Sequence, residues 1–288
     1  MKIIFAGTPK FASEHLSILL GGEHEIVAVL TQPDRKSGRG KKISFSEVKE
    51  IALENDLKVL QPASLKDVEI QKSINNLKPD IILVVAYGLL IPKTVLDIPK
   101  LGCINIHASL LPRWRGASPI ESCIAAGDSE SGITMMKMSE GLDEGPILKK
   151  FVCHLDEKET LETLEKKFIG MSSENLLQFL KDYENKKISE VIQPTTGSTY
   201  ANKIDNTFKR INWAGQTAGE IENTIKKNNS SVEPGLILIN KEGSLEVGCK
   251  DSSLLEIETL QMPGKRIISS KEFVRGYKST LSKNLKFS

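Results

Sequence analysis

The sequence predicts an α/β protein, with a mostly parallel, open sheet through the first two-thirds of the chain and a smaller region of short strands after it. Three observations carry this expectation. Strand-length apolar segments alternate with helical spacing from residue 3 to residue 107, the pattern of βαβ units. The run Ile81, Ile82, Leu83, Val84, Val85 and Ala86 is continuously apolar, as a strand covered on both faces must be. After Ile188 the pattern changes to short apolar stretches punctuated by turn residues.

In chain order, residues 3–6 read as a buried first strand, Gly7, Thr8 and Pro9 as a tight turn, and 11–20 as a helix ended by Gly21 and Gly22. A second strand is expected over 26–31, and a helical stretch begins at 51–55. Strands follow at 81–86 and 102–107, and two more at 133–138 and 147–152, bridged by the loop Gly141, Leu142, Asp143, Glu144 and Gly145. Leu161, Leu164, Phe168, Met171 and Leu176 lie near one stripe of a helix over 161–180. The polar, turn-rich stretch 193–199 marks a linker. Beyond it a helix over 214–225 and strands near 235–240, 244–249 and 254–260 suggest a small barrel or sandwich.

A chain of 288 residues has room for two domains. Its net charge of +2 rules out a polycation, so any nucleic-acid surface must come from local clustering. Cys103, Cys123, Cys153 and Cys249 are widely spaced, which argues against a zinc site and a disulfide scaffold and suits a reducing cytoplasm. The apolar start is too short for a signal peptide, and no run approaches the roughly 20 residues of a membrane span.

Parallel open sheets bind ligands at the carboxyl ends of their strands, where Tyr87, Gly88 and residues 105–107 fall. A dinucleotide is not expected, because Gly7, Thr8 and Pro9 lack GxGxxG spacing. A triphosphate loop is excluded as well, since Lys41 of the 38–42 segment is not followed by Ser or Thr. Asn105 and His107, two apart in a strand, share a face of a backbone flanked by Ile104 and Ile106. Polar groups inside an apolar strand need partners. An amide donor beside an imidazole suits attack of an amine on a carbonyl carbon, which needs an oxyanion donor and a base. Asp143, a loop aspartate when read alone, would orient that imidazole if the fold brought them together.

Together these segments resemble the bacterial methionyl-tRNA formyltransferases, and the stretch 104–116 is highly specific for folate-dependent formyltransferases. The resemblance runs from residues 5–9 through 31–35, 38–42, 84–88 and 105–117 to 141–143. It implies a Rossmann-like catalytic domain over 1–187, a linker over 188–204 and an OB-fold-like β-barrel domain over 205–288 that lies along tRNA. It also implies Asn105, His107 and Asp143 as the catalytic trio. The folate site would be formed by Ser109, Leu110, Leu111 and Pro112, with Tyr87, Gly88, Leu89 and Ile91 bordering the pterin. The co-substrate would be 10-formyltetrahydrofolate, the acceptor methionyl initiator tRNA, and the enzyme a cytoplasmic monomer without metal or NAD. Around 228–235 the chain departs from the family's Pro-rich apolar pattern.

The loop 34–42 carries five cations against one anion. Such a run is usually a solvated surface. With the resemblance it becomes a grip on the tRNA acceptor end through Arg35, Lys36, Arg39, Lys41 and Lys42, with Arg39 as the specificity residue. Lys271, Arg275 and Lys278 belong to a second basic cluster in the C-terminal region, expected to form a non-specific electrostatic surface. Two rivals stand beside this reading: formyl transfer to a small amine such as a purine ribonucleotide or amino sugar, and an inactive RNA-binding protein.

Overall fold

The computed structural model describes residues 1–37, 42–156, 159–204, 221, 238–239, 245–248, 254–261 and 266–281. Its strands are β1 (Lys2–Gly7), β2 (Glu25–Leu30), β3 (Arg35–Ser37), β4 (Lys42–Ser44), β5 (Val59–Leu60), β6 (Ile81–Val85), β7 (Cys103–His107), β8 (Arg115–Gly116), β9 (Glu130–Lys137), β10 (Ile147–His154) and β11 (Tyr200–Ala201). The main sheet runs β10-β9-β7-β6-β1-β2-β5. From β7 to β5 every pairing is parallel, and β9 and β10 are antiparallel additions. Successive strands run from β1 outward through β2 to β5, then the chain returns to the other side of β1 for β6 and β7. The direction of winding reverses between β1 and β6, and a ligand crevice belongs at the carboxyl ends of strands where that happens.

The burial of β6 on every residue explains its unbroken apolar run, because both faces of a parallel strand are covered. Ile4, Ala6, Leu30, Ile82 and Val84 join Leu65, Ile74 and Val95 in one core cluster. Helix α1 (Lys10–Leu20) follows the first turn as expected. The next helix, α2 (Glu47–Glu54), starts four residues before the predicted stretch. Its start is fixed by Ser46, whose hydroxyl accepts the Lys49 amide at 3.2 Å, with Glu47 and Glu50 favourably placed in the first turn.

The chain divides into two compact units: Met1–Pro119, Glu130–Leu155 and Leu164–Asn202 in the first, and Ile120–Ser129, Asp156–Thr163 and Lys203–Ser288 in the second. In the second unit β12 (Leu238–Ile239), β13 (Leu245–Gly248) and β14 (Leu254–Ile257) form an antiparallel sheet, and β15 (Thr259–Gln261) pairs with β16 (Ile267–Ser269). The single strand expected over 254–260 is thus two, broken at Glu258, whose carbonyl accepts the Ser270 amide at 2.9 Å at the start of a helix over Ser270–Leu281. The helix expected over 214–225 lies outside the described residues except for the buried Ile221, as do residues 228–235.

Among the described residues the long helix Leu161–Glu184 buries Leu164, Phe168, Ser172, Leu176, Phe179, Leu180 and Tyr183. Met171 sits beside this face, and the residue in its row is Ser172, a polar group in an apolar stripe. The reason is His15 of α1. Its Nδ1–H donates to the Phe11 carbonyl at 2.7 Å, so Nε2 of the neutral ring accepts the Ser172 hydroxyl at 2.8 Å. Both side chains are fully buried, and burial lowers the imidazole from its ordinary 6.5 to about 4.

Because the unfolded chain binds a proton at His15 that the native state refuses, this residue's contribution is complete above pH 6.5 and declines as pH falls toward 4. The full decline is about 3 kcal/mol. Replacing Ser172 by Ala should cost about 1–3 kcal/mol by leaving Nε2 without a partner. Urea titrations at several pH values check both points. If a His15→Leu/Ser172→Ala variant kept the parent's dependence between pH 6.5 and 4.5, His15 would not be its source.

Candidate functional site

Strand β7 lies between the parallel β6 and the antiparallel β9, with Asn105 aligned to Val84 and Met136 and His107 aligned to Thr134. Ile104 and Ile106 are buried, and so is His107, while Asn105 is half-buried. The two polar residues share a face, as their spacing requires. Both meet the same side chain. Asn105 Nδ2 donates to Asp143 Oδ1 at 3.2 Å, and His107 Nδ1 lies 3.7 Å from Asp143 Oδ2. The Gly116 amide also donates to Asp143 Oδ2, at 2.8 Å.

The ring orientation of His107 follows from a partner that sequence reasoning missed. Nε2 is 2.8 Å from the Trp114 carbonyl. A carbonyl only accepts, so Nε2 carries hydrogen and the neutral ring turns its lone pair, on Nδ1, toward Asp143. A proton on Nδ1 would face the Asp143 carboxylate at ion-pair distance, 3.7 Å. Trp114 presents that carbonyl with φ of 61°, and Asp143 itself has φ of 50°, in the left-handed region that side chains other than glycine adopt only when their surroundings enforce it.

Those surroundings come from a stretch read as linker. Thr199 Oγ1 accepts the Trp114 amide at 2.8 Å, and its carbonyl accepts the Arg115 amide at 2.8 Å. Tyr200 and Ala201 pair in parallel with Arg115 and Gly116, and Val191 exchanges backbone hydrogen bonds with Ile147. Turn residues mark this stretch as irregular, but nothing in composition says that it is hydrogen-bonded in place.

The residues expected at the folate site fall into two groups. Ser109 and Leu111 are fully buried, and Leu110 and Pro112 half-buried. Their loop is tied to β9 by Thr134, whose hydroxyl donates to the Ser109 carbonyl at 2.6 Å and accepts the Leu111 amide at 3.1 Å. Tyr87 and Ile91 point into the core, with Leu89 packed against it. What the segment after β6 offers outward is Gly88, with φ of 79°, and the exposed Leu90, which sequence reasoning did not single out. The Tyr87 carbonyl is held by the Thr8 hydroxyl at 2.8 Å and the Gln32 amide at 3.1 Å, so the ends of β1 and β6 are cross-linked at the switch point.

Arg35 is exposed and donates to Gln32 Oε1 at 2.6 Å, at the base of the β3–β4 hairpin. Beside it Asp34 receives Lys49 at 2.6 Å and Gln61 at 2.7 Å, contacts that hold its carboxyl below the usual range. Lys36 and Lys42 occupy the two hairpin strands, their side chains outside the described set, and Arg39 and Lys41 lie outside the described residues. Lys271 and Arg275 are exposed four residues apart on the helix Ser270–Leu281, which also carries Lys278, so the three positions follow one stripe.

A doubly wound sheet with an amide, an imidazole and a carboxylate gathered at one strand's carboxyl end is the frame of a group-transfer enzyme. The family model described as formyl transferase matches residues 1–180, and that of the formyl transferase C-terminal domain matches residues 224–278. This chain belongs to the formyl transferase family. Methionyl-tRNA formyltransferase from Pseudomonas entomophila is 42% identical, covering 93% of this chain and 94% of its own length. The protein of that name from Idiomarina loihiensis is 41% identical across 99% of both. The fold is shared with WlaRD, a sugar 3N-formyl transferase solved in the presence of dTDP and 5-N-formyl-THF, at a TM-score of 0.64 and 18% identity, covering 89% of this chain and 97% of that one.

Gly116 joins the two halves of this arrangement. It has φ of 113°, and a Cβ there would lie 2.6 Å from the Ala201 carbonyl oxygen. Gly116→Ala should therefore cost about 1–3 kcal/mol in backbone strain, before any displacement of the amide that Asp143 accepts. Chemical unfolding of the variant beside the parent measures it, and equal midpoints would mean that the backbone here is not enforced.

Proposed function

We propose that this chain transfers the formyl group of 10-formyltetrahydrofolate to the α-amine of methionine on initiator tRNA. The observation that carries the reading is the Asp143 carboxylate met by both Asn105 and His107, in a chain whose relatives over nearly full length bear the methionyl-tRNA formyltransferase name. The neutral amine attacks the formyl carbon, forming the new C–N bond and an oxyanion. Asn105 is assigned to that oxyanion through the Nδ2 hydrogen that does not go to Asp143, and His107 joins it as the imidazolium formed when Nδ1 takes the amine proton, since groups aimed at developing charge are usually the largest single catalytic term in such chemistry. As the intermediate collapses, the bond to folate N10 breaks, and His107 with Asp143 helps move the amine proton to the departing nitrogen.

The folate is assigned to Ser109, Leu110, Leu111 and Pro112, with the pterin beside Gly88 and Leu89 and the backbone of Tyr87 and Ile91. Support comes from the rigid cross-links around both segments and from the formyl-folate named for the structural neighbour. Arg35, Lys36, Arg39, Lys41 and Lys42 are assigned to the acceptor end of the tRNA. An OB-fold-like barrel over residues 205–288 is assigned to its phosphates, through Lys271, Arg275 and Lys278. We read the enzyme as a monomer working in the cytoplasm; among the described residues no helix is long and apolar enough to cross a membrane.

Incubation with 10-formyltetrahydrofolate and charged initiator tRNA, followed by detection of formyl-methionine, tests the reading. Formylation of a small amine instead would replace it. Asn105→Ala should lower turnover by roughly a hundred- to a thousandfold with much less effect on folate binding. Asp143→Asn should also collapse activity, and for two reasons. It removes the charge beside His107, and it turns an NH2 group toward one of two donors, because both carboxylate oxygens already accept. Near-native turnover in either variant would remove that residue from the chemistry.

Specificity and affinity for tRNA should separate by mutation. Arg39→Ala should reduce the preference for initiator over elongator methionyl-tRNA, whereas neutralising Lys271, Arg275 and Lys278 together should weaken all tRNAs alike and flatten the salt dependence of binding. Formylation of both tRNAs at several salt concentrations distinguishes the two. Full discrimination by the Arg39 variant would leave its loop as a charged surface only.

A further inference from the structure

We infer that Gln193 is a positioning residue for the reaction: its side-chain amide braces the Asp143 loop against the loop that orients His107. This rests on the formyl-transfer reading above. Gln193 is buried, and every part of its amide is engaged. Nε2 donates to the Asp143 carbonyl at 2.8 Å and to the Gly145 carbonyl at 2.8 Å. Oε1 accepts from Arg115 Nε at 3.2 Å and from the guanidinium nitrogen Nη2 at 2.9 Å.

The two sides of this amide lead to the two halves of the site. On one side are the backbone carbonyls at and two residues beyond Asp143, whose left-handed φ needs enforcement from outside. On the other is Arg115, buried, next in sequence to the Trp114 carbonyl that receives His107 and to the Gly116 amide that donates to Asp143. The Arg115 guanidinium also reaches Glu144 at 3.5 Å, so it grips the same loop directly. A primary amide suits this position because it alone among side chains of this size donates twice on one side and accepts on the other. The hydrogen-bond partners of Gln193 are Arg115 and the carbonyls of Asp143 and Gly145, not Asn105 or His107. Its effect passes through the placement of the Asp143 carboxylate, and a displacement of about 1 Å in such a group can cost on the order of a hundredfold in rate.

Two substitutions separate positioning from mere packing. Gln193→Glu keeps the size and strengthens the partner of Arg115, but sets a carboxylate oxygen against two carbonyls. Gln193→Met loses both sides of the brace. Steady-state formylation of charged initiator tRNA by the full-length variants should show kcat down about tenfold to a hundredfold in both, KM values for folate and tRNA within about twofold of the parent, and a shifted acid limb in the pH–rate profile. Unfolding temperatures of both variants, measured beside the parent, keep the kinetic comparison to folded enzyme, and Gln193→Glu, which retains the contact with Arg115, should lose less stability than Gln193→Met. Amide hydrogen exchange read on peptides spanning 113–118 and 141–146, which needs no activity, should quicken in both variants. Parent-like kcat in Gln193→Glu, or parent-like exchange of both peptides in Gln193→Met, would overturn the inference. A parent that made no formyl-methionine would overturn the functional reading instead, and the exchange measurement would still decide whether the brace exists.

Discussion

The Asp143 carboxylate is the point on which the site's geometry depends. It accepts from the Asn105 amide and the Gly116 backbone and faces the lone-pair nitrogen of His107. These three partners belong to β7 and to the short strand β8 that follows it, while Asp143 itself comes from between β9 and β10. One side chain therefore fixes the distance between segments that are separate in the chain. A carboxylate is suited to this because it accepts on both oxygens in several directions, and it does so more strongly than a neutral group.

The carboxylate in turn is held only because its backbone is. The loop that carries it sits in an unfavourable conformation, stabilised by Gln193 and by Arg115. Trp114, also left-handed, is secured by Thr199. Strain of this kind persists where surrounding contacts outnumber the freedoms they restrain. In the first unit those contacts are supplied by residues 191–201, so a segment without regular secondary structure over most of its length completes the framework of the site.

The parallel sheet beneath serves a different purpose. Its central strands β1 and β6 are buried almost throughout, and their carboxyl ends are cross-linked by Thr8 and Gln32 at the Tyr87 carbonyl. Gln32 also receives Arg35 at the foot of the β3–β4 hairpin. A rigid strand end thus lies within two hydrogen bonds of the basic loop. The polar pair His15 and Ser172 shows the same economy inside the helical layer, where two buried side chains satisfy one another.

Much of this was legible in the amino-acid sequence. Period and apolar runs predicted the first strand, the first helix, β6 and β7, because a buried strand and an amphipathic helix each impose their own spacing on adjacent residues. The same spacing put Asn105 and His107 on one face, and the resemblance of local motifs named Asp143 beside them. What the tertiary structure alone decided is how distant segments meet: the approach of Asp143 to β7, the Trp114 carbonyl that sets the His107 tautomer, the Ser172 partner of His15, and the binding of residues 191–201 to the site loops. Periodicity reports which way a side chain faces along its own element. It carries no information about which donor or acceptor, dozens of residues away, will occupy the space in front of it, and that is settled only when the elements pack.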